Sequence, residues 1–298
     1  MRIVLCYPVL SEHIEQIQRS APHAEIVDAG QERVATELLE ADVYCGHAKV
    51  AVDWARIVQR GRLRWIQSSA AGIDHCLTPE VIASDILVTS ASGLFANAVA
   101  EQTMALLLSL MRRLPDFARH QAGHIFERRP TSDLHRAVVG IAGFGGNGRR
   151  IAEVLAPFRT SILATDAFPR DKPPWVEQLW PADRLDEMLS LVDVLILCVP
   201  LTPETTGLLR AENLRLLKPH ALVINVARGP VIREADLVDA LRAGRIAGAG
   251  LDVTEIEPLP PTSPLWDMPN VIITPHVGAQ SADRVDRTTQ FFCDNLTR

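Results

Sequence analysis

The stretch Gly143-Phe-Gly145-Gly-Asn147-Gly148 has the spacing G-x-G-x-x-G. It follows the apolar run Ala137–Ala142 and precedes a helical period from Arg149 to Leu155. In that setting the first glycine permits a tight turn, the second lets backbone approach a pyrophosphate, and the third lets helix and strand pack closely. The N–H groups and positive dipole end of the following helix then face the phosphates. Asp166 ends the next apolar run, 18 residues past Gly148. A carboxylate there accepts hydrogen bonds from the adenosine ribose and repels a 2′-phosphate, which favours NAD over NADP. Arg170, four residues further on, works against that preference.

Three later segments also put polar residues just past predicted strands. They are Asn225-Val-Ala227-Arg228-Gly-Pro, Leu251-Asp252-Val-Thr-Glu-Ile-Glu257-Pro258 and Pro275-His276-Val-Gly278. Ligands of open α/β sheets bind outside the carboxyl ends of the strands, so these positions are candidates for chemistry.

The elements that must carry these residues alternate between strand and helix. Ile3–Cys6, Ile26-Val27, Val43–Cys45, Trp65-Ile66 and Leu87-Val88 read as buried strands with room for helices between them. Asn97 is placed to cap a long helix with Glu101 and Gln102 in its first turns and an apolar body from Met104 to Met111. That helix is expected to end near Pro115, and residues 116–136 to form an irregular arm. A second series follows at 137–142, 161–166, 194–199, 222–226, 249–253 and 271–274, apolar on both faces as in a covered parallel sheet.

Composition sets the remaining bounds. The 298 residues are 47% hydrophobic and 22% charged, with 30 Lys and Arg against 36 Asp and Glu. A length of this order suggests about two domains, and the composition excludes a largely disordered chain. The net charge of -6 argues against a general nucleic-acid binder. Cys6, Cys45, Cys76, Cys198 and Cys293 form no C-x-x-C pair, which argues against a structural zinc site or a disulfide framework. No metal is expected. Neither a signal peptide nor a membrane span is read, and the expected location is the cytoplasm.

These segments, in order along nearly the whole chain, resemble the D-isomer-specific 2-hydroxyacid dehydrogenases. Ala71-Gly72-Ile73-Asp74, Val99-Ala100-Glu101 and Pro200-Leu-Thr-Pro-Glu-Thr205-Thr-Gly207 belong to the same likeness. The resemblance implies a Rossmann-like doubly wound parallel sheet domain plus a flavodoxin-like α/β substrate domain. The substrate domain would comprise 1–94 and 279–298, and the NAD-binding domain 95–278, including the long helix and a dimerisation arm. The active site is expected in a cleft between them, and the chain to form a homodimer.

The family's catalytic Arg, Glu and His map onto Arg228, Glu257 and His276. Backbone amides at Ala71 and Gly72 would hold the substrate carboxylate. Gly143, Gly145, Asn147, Gly148, Asp166, Pro200, Thr205, Ala227, Asp252 and Gly278 would contact the dinucleotide, with Asp252 facing the nicotinamide carboxamide. The chemistry is coherent, because reducing a 2-keto acid needs a hydride donor, a proton donor and a carboxylate anchor. Arg228 offers a planar fork, His276 a general acid, and Glu257 a carboxylate that stabilises an imidazolium.

Two departures stand out: Gly146-Asn147 replaces the bulky apolar residue common before the third glycine, and Ile125-Phe126 replaces a Trp often found in the arm. With the chain ending at Arg298, feedback through a C-terminal regulatory domain is not expected. The activity implied is a small 2-keto acid reductase, glyoxylate or hydroxypyruvate reductase foremost. The alternative is an NAD(H)-sensing corepressor-like binding protein on the same fold.

Overall fold

The computed structural model describes residues 1–298. The chain divides into two units, one of Met1–Phe95 with Gln280–Arg298 and one of Ala96–Ala279.

In the first unit, β1 (Arg2–Cys6), β2 (Glu25–Asp28), β3 (Val43–Gly46), β4 (Trp65–Ser68) and β5 (Leu87–Thr89) form a sheet of order β2-β1-β3-β4-β5. Every pairing is parallel. The sheet is flavodoxin-like in order. Its central strands are apolar on both sides because helices cover both faces. Along β1, Val4 and Cys6 enter one core while Ile3 and Leu5 enter another that includes Phe292 of the helix Arg284–Leu296.

In the second unit, β6 (Val138–Ala142), β7 (Ser161–Asp166), β8 (Gln178–Pro181), β9 (Val194–Leu197), β10 (Leu222–Asn225), β11 (Gly248–Leu251) and β12 (Val271–Ile273) are ordered β12-β11-β10-β9-β6-β7-β8, all parallel. Counted from β6, this is the doubly wound order of dinucleotide-binding sheets extended by one strand. Period-two burial is explicit in β9, where Val194 and Ile196 face one core and Leu195 and Leu197 the other. The expected α/β class therefore holds in both units.

Three local expectations are corrected. β8 was not read from the sequence, because Gln-Leu-Trp-Pro has no apolar run. It is an edge strand, where a proline costs no ladder hydrogen bond. The long helix starts at Ala96, so Asn97 lies inside its first turn rather than capping it. That helix ends at Met111, and the turn after it puts Arg113 in the left-handed region, with φ 55°. Pro115 then opens a second helix, Leu114–Ala122, at a position where the missing N–H has no helical partner to lose. Part of the expected irregular arm is thus helical.

The long helix is apolar on most sides, as a buried helix must be. It lies against β10 and β11, where Gly250 leaves it room: a Cβ there would sit 2.9 Å from Ile224 Cδ1 and 3.0 Å from Leu106 Cβ. Gly250→Val is expected to destabilise the protein by about 1–3 kcal/mol through overpacking. The measurement is the urea midpoint at unchanged slope.

Candidate active site

The site is assembled from turns at the carboxyl ends of the second sheet. After β6, Gly143 adopts φ +92°, and a Cβ on it would lie 2.8 Å from the Cys198 carbonyl beyond β9. A Cβ on Gly148 would land 2.1 Å from the Gly143 oxygen. Both positions exclude any side chain. Gly145 instead has nothing within 4 Å of its missing Cβ, and it precedes the helix Gly146–Leu155, whose N-terminus carries no side-chain cap. The cradle is therefore open backbone at an uncapped helix start, which fits a pyrophosphate. Asn147 lies in the first turn of that helix.

Asp166, at the end of β7, accepts from the N–H of Phe144 at 2.6 Å and of Phe168 at 2.8 Å. It closes the glycine turn. A carboxylate has about four acceptor sites, so capacity remains for ribose hydroxyls. Beyond β9, Thr205 Oγ1 donates to the Pro200 carbonyl at 2.6 Å and accepts from Thr202 N at 2.8 Å, fastening that turn on itself.

Past β10, Asn225 shapes the segment that carries Arg228. Its Oδ1 accepts from Ala227 N at 3.0 Å, and its Nδ2 donates to the Arg228 carbonyl at 3.1 Å. Arg228 Nη1 donates to the Ala227 carbonyl at 2.8 Å. A Cβ on Gly229 would lie 1.8 Å from the Thr254 carbonyl, so only glycine allows this turn to touch the one after β11. That second turn bears Glu257, whose Oε1 accepts from Thr254 N at 3.2 Å.

Glu257 Oε2 meets His276 Nδ1 at 2.9 Å. An ionised carboxylate only accepts, so Nδ1 carries the proton and Nε2 is left for chemistry. Burial acts to raise the Glu257 carboxyl. The hydrogen bond and charge of His276, the Thr254 amide and the charge of Arg228 outweigh it and hold the carboxyl below its usual range.

Asp252, buried at the end of β11, anchors the His276 turn. Its Oδ1 accepts from Thr274 Oγ1 at 2.6 Å and Val277 N at 3.0 Å, and its Oδ2 from Gly278 N at 2.8 Å. Gln102 Nε2 of the long helix donates to Thr274 Oγ1 at 2.9 Å. His276 itself sits at φ 54°. Arg228, Glu257, His276, Asp252, Ala227 and Gly278 thus share neighbouring turns of one unit. Ala71 and Gly72 follow β4 in the other unit. There Ser68 Oγ takes the N–H of Ala70 at 3.1 Å, and no bond takes those of Ala71 and Gly72.

Sequence reasoning assigned no role to Asn225, Gly229, Thr254, Thr274 or Gln102. The Asn-x-x-Arg-Gly spacing held a usable signal for the first two. Nothing local marks Thr274 or Gln102, whose roles come from contacts distant in sequence.

Residues 104–278 match the family model described as D-isomer specific 2-hydroxyacid dehydrogenase, NAD binding domain. The chain belongs to this family. It is similar to a glyoxylate reductase of Thermofilum pendens, with 35% identity over 249 residues covering 78% of this chain and 71% of the relative. It is 31% identical over 260 residues to a D-3-phosphoglycerate dehydrogenase of Mycobacterium bovis, covering 86% of this chain but 49% of that longer protein. Among solved structures it resembles an NADPH-dependent glyoxylate/hydroxypyruvate reductase of Sinorhizobium meliloti in complex with NADP and sulfate. That match has TM-score 0.81 and 28% identity over 96% of this chain and 91% of the other. As a member of the family, the chain is an NAD-dependent oxidoreductase acting on the CH–OH group of 2-hydroxy acids. Nothing in these likenesses supports the corepressor-like alternative.

Because the folded carboxyl of Glu257 lies below its unfolded value, its contribution to stability is present above the ordinary carboxylate range. It is lost as pH falls through the depressed folded value. The stability difference between the native chain and Glu257→Gln is therefore expected to shrink as pH drops below about 4.5. Denaturant unfolding at stepped pH reads it.

Proposed function

We propose that this dehydrogenase works mainly as an NADH-dependent reductase of small 2-keto acids, with glyoxylate and hydroxypyruvate among its substrates. The observation that carries the reading is the 2.9 Å contact of His276 Nδ1 with Glu257, on turns adjoining that of Arg228. Both relatives named as reductases act on such acids by name.

Arg228 holds the substrate carboxylate and polarises the carbonyl oxygen with its guanidinium. Ala71 and Gly72 offer backbone amides to a substrate carboxylate. His276 Nε2 gives its proton to the carbonyl oxygen, and takes it back in the oxidative direction. Glu257 keeps the ring oriented and stabilises the imidazolium. The dinucleotide, when bound, supplies the hydride.

Gly143, Gly145, Asn147 and Gly148 are the proposed pyrophosphate cradle. Pro200, Thr205, Ala227, Asp252 and Gly278 line the remainder of the dinucleotide site. Asp166 selects NADH over NADPH by repelling a 2′-phosphate.

We place the protein in the cytoplasm as a homodimer. No helix is long and apolar enough to cross a membrane, and all five cysteines are free thiols, as in a reducing compartment. Leu114, Ile125 and Phe126 expose apolar side chains along the helix and arm after the long helix, which supports association there. Phe126→Asp is expected to shift a dimer towards monomer in light scattering; a native chain that is already monomeric would sink this part.

NADH oxidation followed optically against glyoxylate, hydroxypyruvate, pyruvate and phenylpyruvate tests the activity. His276→Ala is expected to lower kcat by about 10²–10⁴-fold with NADH binding kept. Full activity in that variant would overturn the assignment of the proton donor, and silence across the panel would overturn the substrate class.

A further inference from the structure

Arg149 follows the third glycine of the cradle and lies in the helix Gly146–Leu155. Its guanidinium carbon stands 5.0 Å from the centre of the Phe144 ring, and its Nη1 donates to the Asp171 carbonyl at 2.7 Å. Phe144 is the buried residue between the first two glycines, and its N–H is one that Asp166 accepts. One planar group therefore joins the glycine turn to the segment beyond β7. Its face stacks on the ring while its edge donates, a combination that suits a guanidinium better than an ammonium.

The segment it reaches has few other ties. Residues 167–175 read Ala-Phe-Pro-Arg-Asp-Lys-Pro-Pro-Trp, without helix or strand, and are mostly exposed. The prolines among them have no N–H to offer. At the start, Phe168 N donates to Asp166 Oδ1. At the far end, Lys172 Nζ donates to the carbonyl of the buried Val176 at 2.6 Å, and Val176 N to the Pro173 carbonyl at 3.1 Å. Between those ends, the Arg149 bond to Asp171 is the only hydrogen bond that fastens the segment to another element.

What precedes the segment makes its placement matter. It begins directly after Asp166, the carboxylate proposed above to meet the adenosine ribose, and it carries the exposed side chains of Phe168 and Arg170. An exposed segment with a single outside tie opens readily once that tie is lost. A ligand that must then order it on binding loses affinity by that cost.

We propose that Arg149 is a positioning residue for the adenosine half of the cofactor, holding residues 167–175 in place beside Asp166 before NADH binds. It acts through Phe144 and Asp171. The proposal rests on the dinucleotide-site reading above and deepens it by naming what keeps the ribose end of that site in order.

The test measures NADH and ADP-ribose binding by titration calorimetry in the native chain, Arg149→Lys and Arg149→Met. Tryptic cleavage between Arg170 and Asp171 is followed in the same chains without cofactor. Arg149→Met is expected to weaken both ligands about tenfold, the worth of one charged hydrogen bond. It is also expected to raise KM for NADH with kcat kept, and to speed cleavage at that bond without opening other sites. Arg149→Lys keeps the charge without the stacked edge, and is expected to lie between the native chain and Arg149→Met in both affinity and cleavage. Affinity lost at unchanged cleavage would make Arg149 a plain attractor of phosphate charge. Faster cleavage at unchanged affinity would leave the tie without a part in binding. Either result would overturn the proposal, as would no change in either quantity. A native chain that binds neither NADH nor ADP-ribose would overturn the dinucleotide-site reading itself, a result distinct from losses confined to the variants.

Discussion

Asp252 is a buried carboxylate at the end of a parallel strand, and its bonds organise the turn that carries His276. An ion removed from water costs several kcal/mol unless its lone pairs are met. Here the Thr274 hydroxyl and the amides of Val277 and Gly278 meet them, all from one short segment. Satisfying the ion therefore dictates the path of residues 274–278. His276 is carried into the left-handed region, where a non-glycine residue costs about 1–3 kcal/mol, and its N–H is held by the carbonyls of Asp252 and Thr274. Gly278 lacks a side chain because a Cβ would sit 2.8 Å from Asp252 Oδ2. The long helix adds Gln102 to the same network. On this path the His276 imidazole reaches Glu257 at 2.9 Å.

The same economy recurs along the sheet edge. Parallel strands bring all their carboxyl ends to one side, so the turns after β6, β7, β9, β10, β11 and β12 adjoin one another. Turns so crowded need backbone in direct contact, and glycine is required where they touch: Gly148 on Gly143, and Gly229 on Thr254. Short polar side chains then replace the hydrogen bonds that the ladder no longer supplies. Asp166 fixes the glycine turn, Asn225 the Arg228 turn, and Thr205 the turn after β9. The proposed catalytic groups, Arg228, Glu257 and His276, are long side chains standing on this locally saturated backbone, and positioning of that kind is a large part of catalytic power.

Reading the chain for elements succeeded where burial imposed a pattern. β6, β9, β10 and β11 are covered on both faces and so are written as continuous apolar runs. The approach failed at β8, an edge strand with little buried surface, and at Pro115. A proline both breaks a helix and opens one, and the Arg113 turn before it decides between them. Of the candidate site residues, those in contiguous motifs stand out in the sequence: the glycines, Asp166, Arg228, Glu257 and His276.

Other features have no local trace. Gln102 and Thr274 are 172 residues apart, and His47 stacks on His75 from a different strand end. Residue type and spacing settle which backbone must be glycine and which side chains are able to carry a proton or a charge, because those demands act within a turn. Which carboxylate orients the imidazole and which one holds its loop, Glu257 or Asp252, follows from how the strands are ordered in the sheet. Both acids stand beyond the same strand, and the folded path of the His276 turn places Asp252 beneath it and Glu257 beside the ring.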